Sequence, residues 1–350
     1  MEVHNYTMAN LVLSEDTFGI LLPYIKEKTI TDIRWDGNNL WLDDLEKGRI
    51  LTDIKLEEPF INKFTSRLSD LANTNFNSSS PVLEAETDSL RIACLHPSVT
   101  NTGIAITIRK TEAECRLKDD QMIETGYCSE EMLDFLKQAV KARCSFVVTG
   151  DVGSGKTELV KKLMQSIPDT ATTLTVEDNY ELRAKALRPH FDCTEIKVTK
   201  NFPPKAAIKA ALRQNTKWLM LSEARSTEAI ELLEAASTGC SIATTVHAWD
   251  VRNIPDRFEN MIGNTNNDVK NDVCSYFDIG ILIVKKEGPD GIRRYIDQLC
   301  FYEHTEDGNN CYMILDEGRM VGNHLTDKIR ERFRRADMKI PELFVGDANV

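Results

Sequence analysis

Gly150-Asp151-Val152-Gly153-Ser154-Gly155-Lys156-Thr157 decides the reading of this chain. It satisfies the spacing G-x-x-x-x-G-K-[ST], follows the apolar run 146–149 and precedes a helix-like stretch beginning at Glu158. Glycines at these positions let the backbone curl until successive N–H groups converge on a phosphate at the positive end of the following helix. Lys156 is placed to neutralise the β- and γ-phosphates, and the Thr157 hydroxyl to hold magnesium. The expected ligands are therefore ATP and Mg2+, bound along residues 150–158.

Outward from this loop, strands alternate with helices. Apolar runs at 146–149, 173–176, 218–221 and 242–246 read as strands, and Met132, Phe135, Leu136 and Val140 form a helical stripe behind a Ser129 N-cap with Glu130 and Glu131 in the first turn. That rhythm implies a mostly parallel, doubly wound sheet. Runs at 279–284, 295–301 and 312–315 have no helices between them and suggest an antiparallel extension. Upstream the grammar differs. Residues 30–35 and 40–42 flank the turn Asp36-Gly37-Asn38-Asn39, 50–54 offers a third strand, and 90–94 and 104–108 read as two more. Phe60, Phe64, Leu68 and Leu71 mark a helix face that could cover them. The fold class expected is α/β: an α+β N-terminal domain over residues 1–115, a polar linker at 116–128, and a P-loop ATPase domain over 129–350.

Composition limits the partners. The 350 residues carry a net charge of -12, which argues against a general nucleic-acid coat or a protein held on anionic lipid by charge alone. One local basic segment, Arg319 to Lys339, also carries the apolar stripe Leu325, Ile329 and Phe333, and reads as a helix with one buried face and a solvated basic face, or as a partner or membrane contact. The nine cysteines stand singly, without C-x-x-C spacing, and read as reduced buried thiols. Residues 1–10 lack the basic flank and apolar core of a signal peptide, and the apolar run 279–284 is far shorter than the roughly 20 residues that span a bilayer. The expected location is the cytoplasm.

Hydrolysis needs groups that order the metal and the attacking water. Glu177 and Asp178 follow one strand and Glu223 another, and strand ends of a parallel sheet collect ligands in one crevice. Arg213 and Arg225 flank the strand at 218–221, either to stabilise transition-state charge in their own or a neighbouring subunit or as surface ion pairs. His247, after Thr244 and Thr245, is positioned to sense a γ-phosphate or to serve the structure alone.

Taken in order, these residues resemble the secretion ATPase superfamily of type II secretion, type IV secretion and type IV pilus motors. The likeness rests on the Walker A loop, an acidic box (Val176-Glu177-Asp178-Asn179-Tyr180-Glu181-Leu182), a Walker B segment (Leu219-Met220-Leu221-Ser222-Glu223-Ala224-Arg225) and a histidine box from Thr238-Gly239 to His247-Ala248. Ile30-Thr31-Asp32-Ile33, Ser79-Ser80-Pro81, Arg91 and Thr107-Ile108-Arg109-Lys110 are similar to the family's N-terminal domain, and the compact layout is most like the type IV secretion and Flp/Tad pilus branch. The resemblance implies a RecA-like ATPase domain, a homohexameric ring, an inner-membrane platform as partner, and a cytoplasmic protein held peripherally at the inner face of the cell membrane. It implies Glu223 as the group that activates water, with Glu177 and Asp178 supporting metal or water, and Thr157, Glu177 and Glu223 around magnesium. Arg91, Arg109, Arg213 and Arg225 are implied at phosphates or interfaces. Ser222, Cys240 and Glu158 depart from the family pattern, where glycine, histidine and threonine are common. Two other classes share the P-loop. A RecA-like nucleic-acid motor would need a basic, aromatic channel that this acidic composition disfavours, so no stable nucleic-acid binding is expected. A nucleotide-gated interaction subunit with little turnover would not need Glu177 and Glu223.

Overall fold

A computed structural model describes residues 13–226, 228–263, 268–289 and 291–344. Residues 1–10, which carry no signal-peptide pattern, lie outside that description. The chain divides into two compact units, one of Met1–Glu112 with Glu287–Arg293 and one of Ala113–Lys286 with Arg294–Val350.

The first unit is built on six antiparallel strands: β1 (Ile30–Trp35), β2 (Leu40–Asp44), β3 (Gly48–Leu51), β4 (Val82–Glu86), β5 (Leu90–Leu95) and β6 (Ala105–Lys110), in the order β3-β2-β1-β6-β5-β4. Period-two alternation sends Ile33, Leu42, Ile92 and Ile108 to one face, where the helix Glu58–Leu71 lays down Ile61, Phe64 and Leu68. The β1–β2 turn is fixed locally. Asp36 Oδ1 accepts the amides of Asn38 and Asn39 at 2.9 and 2.8 Å, and its Oδ2 accepts Trp41 Nε1 at 2.9 Å. Gly37 has φ 102, and a Cβ there would lie 2.2 Å from the Thr102 carbonyl oxygen, so only glycine fits. Strand β4, which the sequence pattern does not announce, lies at one end of the sheet beyond β5.

The second unit carries β7 (Phe146–Gly150), β8 (Thr173–Glu177), β9 (Cys193–Lys197), β10 (Trp218–Leu221), β11 (Ser241–Val246), β14 (Gly308–Asp316), β15 (Arg319–Met320) and all of β12 (Ile279–Gly288) and β13 (Gly291–Thr305) except their adjoining ends within 287–293. Their order is β15-β14-β13-β12-β7-β11-β10-β8-β9. Strands β7, β8, β10 and β11 are buried at every position, as a parallel sheet covered on both faces requires. The run from Ile279 was expected in the antiparallel extension. Instead β12 runs parallel to β7, with Ile279 opposite Phe146, because the helix Val269–Tyr276 supplies a crossover ahead of it. Antiparallel pairing is seen from β13 through β14 to β15.

Two polar segments behave differently from their composition. Residues 116–128, expected as a linker, contain the helix Asp119–Glu124 and bury Met122 and Tyr127 in the core of the second unit, while Asp119 pairs with Lys137 and Lys162. The helix Asp327–Arg335 buries Ile329 and Phe333 as its stripe predicts. Its basic face is not wholly solvated. Lys328 Nζ donates to the carbonyls of Cys274 and Phe277 at 2.9 and 2.7 Å, and Arg332 Nε lies 2.9 Å from the fully buried Asp278. Of the exposed residues, Arg334 and Arg335 pair with Glu331, and Arg330 Nε donates to the Leu325 carbonyl at 3.0 Å. All nine cysteines are free thiols.

Candidate active site

Because β7, β8, β10 and β11 are parallel, their C-terminal ends lie along one edge of the sheet, and each delivers one motif there. Strand β7 runs into the glycine loop, β8 into the acidic box, β10 into Ser222 and Glu223, and β11 into His247.

The loop has the backbone that its glycines permit. Gly150, Gly153 and Gly155 take φ values of 147, 73 and 97, and a Cβ on Gly150 would sit 2.4 Å from the Ile283 carbonyl oxygen. The helix Lys156–Met164 starts from Gly155, so its unpaired amides open onto the loop. Lys156 Nζ curls back to the carbonyls of Gly150 and Asp151, each at 2.9 Å. Burial lowers its pKa, against the opposing pull of Glu223, Asp151 and Glu181. Asp151 Oδ1 accepts the amide of Val152, which leaves the Val152 side chain exposed. Ser154 is fully buried, and its hydroxyl has no hydrogen-bond partner among the described residues.

A chain of contacts runs from this lysine across the sheet edge. Lys156 Nζ is 3.5 Å from His247 Nδ1, and His247 Nε2 is 3.2 Å from Glu223 Oε1. Glu223 Oε2 accepts Arg225 at 2.8 Å, and the same guanidinium reaches Asp178 at 3.0 Å. Its hydrogen bond to Glu223 raises the Arg225 pKa above the usual arginine value. The backbone holds these side chains in register. Thr149 Oγ1 donates to the Ala248 carbonyl at 2.8 Å and accepts its amide at 2.7 Å, fixing the segment after β11. Thr245 Oγ1 donates to Ser222 at 2.7 Å and the Thr245 carbonyl accepts Ala224 N at 2.9 Å, fixing the segment after β10. Ser222 has no left-handed backbone, so the family's glycine is not needed at that position.

Other expected residues stand elsewhere. Glu177 ends β8 fully buried, its Oε2 accepting the amides of Glu181 and Leu182, both at 2.9 Å, and burial pushes its pKa up to about 7. One oxygen of this carboxyl serves its own loop, and the other, Oε1, is buried without a hydrogen-bond partner among the described residues. Arg213 follows the helix Pro204–Leu212 and precedes β10, and Cys240 precedes β11. Parallel strands therefore put both at the edge opposite the glycine loop, and Arg213 does not meet that loop within its own chain. The Glu158 side chain turns toward Arg116 N at 3.0 Å and Lys161 Nζ at 3.1 Å, away from a phosphate role. Arg91 and Arg109 belong to the first unit, where they lie 3.8 Å from Glu84 and 2.7 Å from Asp32.

Two residues at the loop were not singled out from the sequence. Thr157 Oγ1 lies 3.2 Å from Glu181 Oε2, so the second glutamate of the acidic box is the one that meets the loop threonine. Arg294, on β13, donates from Nε to the Gly153 carbonyl at 3.2 Å. Its proximity depends on β12 lying beside β7, which no motif announces. The donors fit a nucleotide with magnesium: a curled amide cradle, a lysine across it, and hard oxygen ligands in Thr157 and Glu181. Among the described residues no group of three or more His, Cys, Asp or Glu side chains forms a metal cage. Magnesium bound through phosphates and water does not require one.

A family model described as "Type II/IV secretion system protein" matches residues 78–321. An uncharacterized protein of Bacillus anthracis is 26% identical over 330 residues, covering 90% of this chain and 73% of its own length. The type IV secretion system protein VirB11 of Bartonella quintana is 31% identical over 136 residues, 37% of this chain and 37% of that protein. Among solved structures, the pilus retraction motor PilT with bound ADP superposes with a TM-score of 0.60 at 16% identity, covering 83% of this chain and 84% of that one. At that identity the likeness is one of fold, and the fold is RecA-like.

Proposed function

Because the chain belongs to the type II/IV secretion system protein family, we propose that it is an ATPase of a secretion or pilus machine, binding ATP and magnesium at residues 150–157. One observation carries this reading: the unbroken series Lys156, His247, Glu223, Arg225 and Asp178 along the mouth of the glycine loop. Lys156 and the loop amides hold the phosphates, while Thr157 and Glu181 face the metal side. Magnesium, when bound, neutralises charge on the β- and γ-phosphates. Glu223 orients the attacking water and takes its proton, held between His247 and Arg225 so that its carboxylate has one orientation. Arg225 and Lys156 offset charge that grows on the transferring phosphoryl group, and Arg294 bears on the outer wall of the loop.

The oligomer proposed is a homohexameric ring acting against an inner-membrane platform from the cytoplasmic side. No helix of the described residues is long and apolar enough to cross a membrane. The task proposed is protein or DNA–protein export, or assembly of a type IV or Flp pilus.

Magnesium-dependent ATP hydrolysis by the purified chain tests the site. Lys156→Ala is expected to abolish turnover, and Glu223→Gln to lower kcat by roughly a hundredfold or more with little change in ATP binding. Near-normal turnover in Lys156→Ala would remove the site assignment. Mass in solution with and without nucleotide tests the ring.

A further inference from the structure

We propose that Glu177 is a positioning residue: from the end of β8 it holds the acidic-box turn so that Asp178 meets Arg225 and Glu181 meets Thr157, and it takes no part in the chemistry itself. The argument begins with burial. The Glu177 side chain is fully enclosed, in a strand with no exposed position. Neither oxygen is exposed at the loop mouth, and Oε1 is buried without a hydrogen-bond partner among the described residues. The carboxyl does reach the backbone that follows. Oε2 accepts both Glu181 N and Leu182 N at 2.9 Å, and this closes residues 178–182 into a turn whose two ends are one side chain and its own downstream amides.

Both products of that turn are on the site. Asp178, on its outward limb, receives Arg225 at 3.0 Å, and Arg225 also holds Glu223 at 2.8 Å. Glu181, at its far end, lies 3.2 Å from Thr157 Oγ1. Leu182, next in sequence, is fully buried and anchors the end of the turn in the core. Without the carboxyl acceptor the amides of Glu181 and Leu182 would lose their partner, and the reach of Glu181 to Thr157 would no longer be fixed. An acceptor oxygen is what this task needs, and negative charge is not.

That distinction sets the experiment. Hydrogen–deuterium exchange on the nucleotide-free protein reads the turn directly, and ATP hydrolysis reads its consequence. Glu177→Gln keeps a carbonyl oxygen for the two amides, and Glu177→Ala removes it. Glu177→Ala is expected to speed exchange at Glu181 and Leu182 by roughly tenfold or more. It is also expected to lower kcat by roughly a hundredfold while the KM for ATP moves by about twofold or less. Glu177→Gln is expected to keep both the protection and most of the turnover, whereas Glu181→Gln loses turnover with protection intact.

Loss of turnover in Glu177→Gln with the two amides still protected would put the charge of Glu177 at the chemistry and overturn the proposal. Unchanged exchange in Glu177→Ala would overturn it as well. The kinetic arm rests on the ATPase reading, but the exchange arm does not. A wild type without hydrolysis would count against that reading, while the exchange arm would still decide the role of Glu177.

Discussion

In the turn after β1, one oxygen of Asp36 accepts two nearby backbone amides, Asn38 and Asn39, and in the turn after β8 one oxygen of Glu177 accepts two more, Glu181 and Leu182. The hydrogen-bond distances are nearly equal, yet the charges diverge. Burial would raise the pKa of Asp36, but Trp41 Nε1 and the two amides outweigh it and bring the group to about 2. At Glu177 burial dominates the same pair of amides, with Glu181 and Glu195 adding to it, and the group rises to about 7. Backbone donors shape a turn in either place. Whether the carboxyl stays ionised is set by how much water it keeps and by what meets its second oxygen: Trp41 for Asp36, and no partner among the described residues for Glu177. One turn is thereby a fixed anion at a sheet corner, and the other a strut beneath the acidic box that is about half protonated at neutral pH.

The sharpest way to break this comparison is the pH dependence of stability. The folded pKa of Glu177, about 7, lies above the ordinary glutamate value of 4.5, so the folded state holds the proton more tightly. Its stabilising contribution is complete below about pH 4, declines as pH rises toward about 7, and is lost above that. A shift of this size corresponds to roughly 3 kcal/mol between pH 4 and pH 8. Urea unfolding of the wild type beside Glu177→Gln, with chelator and without nucleotide, should therefore show the wild type losing stability across this window relative to the variant. Parallel curves would mean that Glu177 is ionised in the fold, and the contrast with Asp36 would disappear.

This contrast also separates what the sequence discloses from what it hides. The glycine loop, the Asp36-Gly37-Asn38-Asn39 turn and the stripe of the Asp327–Arg335 helix are legible because each is a short local code: turn chemistry, spacing or period. Parallel order made the gathering of Asp178 and Glu223 legible as well, since strand ends share an edge. The same rule removes Arg213, which precedes its strand, but applying it requires distinguishing the start of a strand from its end. What stayed hidden depends on distance in the chain. Arg294 reaches Gly153 from β13, and Lys328 and Arg332 close on Asp278 from the helix Asp327–Arg335, each across a long separation in sequence. Glu177 and Glu181 stand four residues apart in one acidic box, and composition gives both the same promise. Only the end of β8 decides which is enclosed and which emerges.

Smaller effects are expected at Asp36, because that carboxyl keeps contact with water. Its depressed pKa stabilises the fold above about pH 4, and this is lost as pH falls toward about 2. Asp36→Asn should cost about 1 kcal/mol at neutral pH once solvent screening is discounted, and that cost should shrink in acid.

Trp41→Phe tests the finest division, between the side-chain donor and the backbone donors. Phenylalanine keeps an aromatic ring beneath Arg49, whose guanidinium lies 5.2 Å from the Trp41 ring, and removes only the indole N–H from Asp36. The two amides remain, so an NMR titration of the Asp36 carboxyl should show its pKa rising by roughly half a unit while staying below 3.8, the ordinary aspartate value. A rise all the way to that value would assign the depression to the indole alone. The two backbone amides would then be as ineffective electrostatically at Asp36 as they are against burial at Glu177, and the two turns would differ by a single side chain.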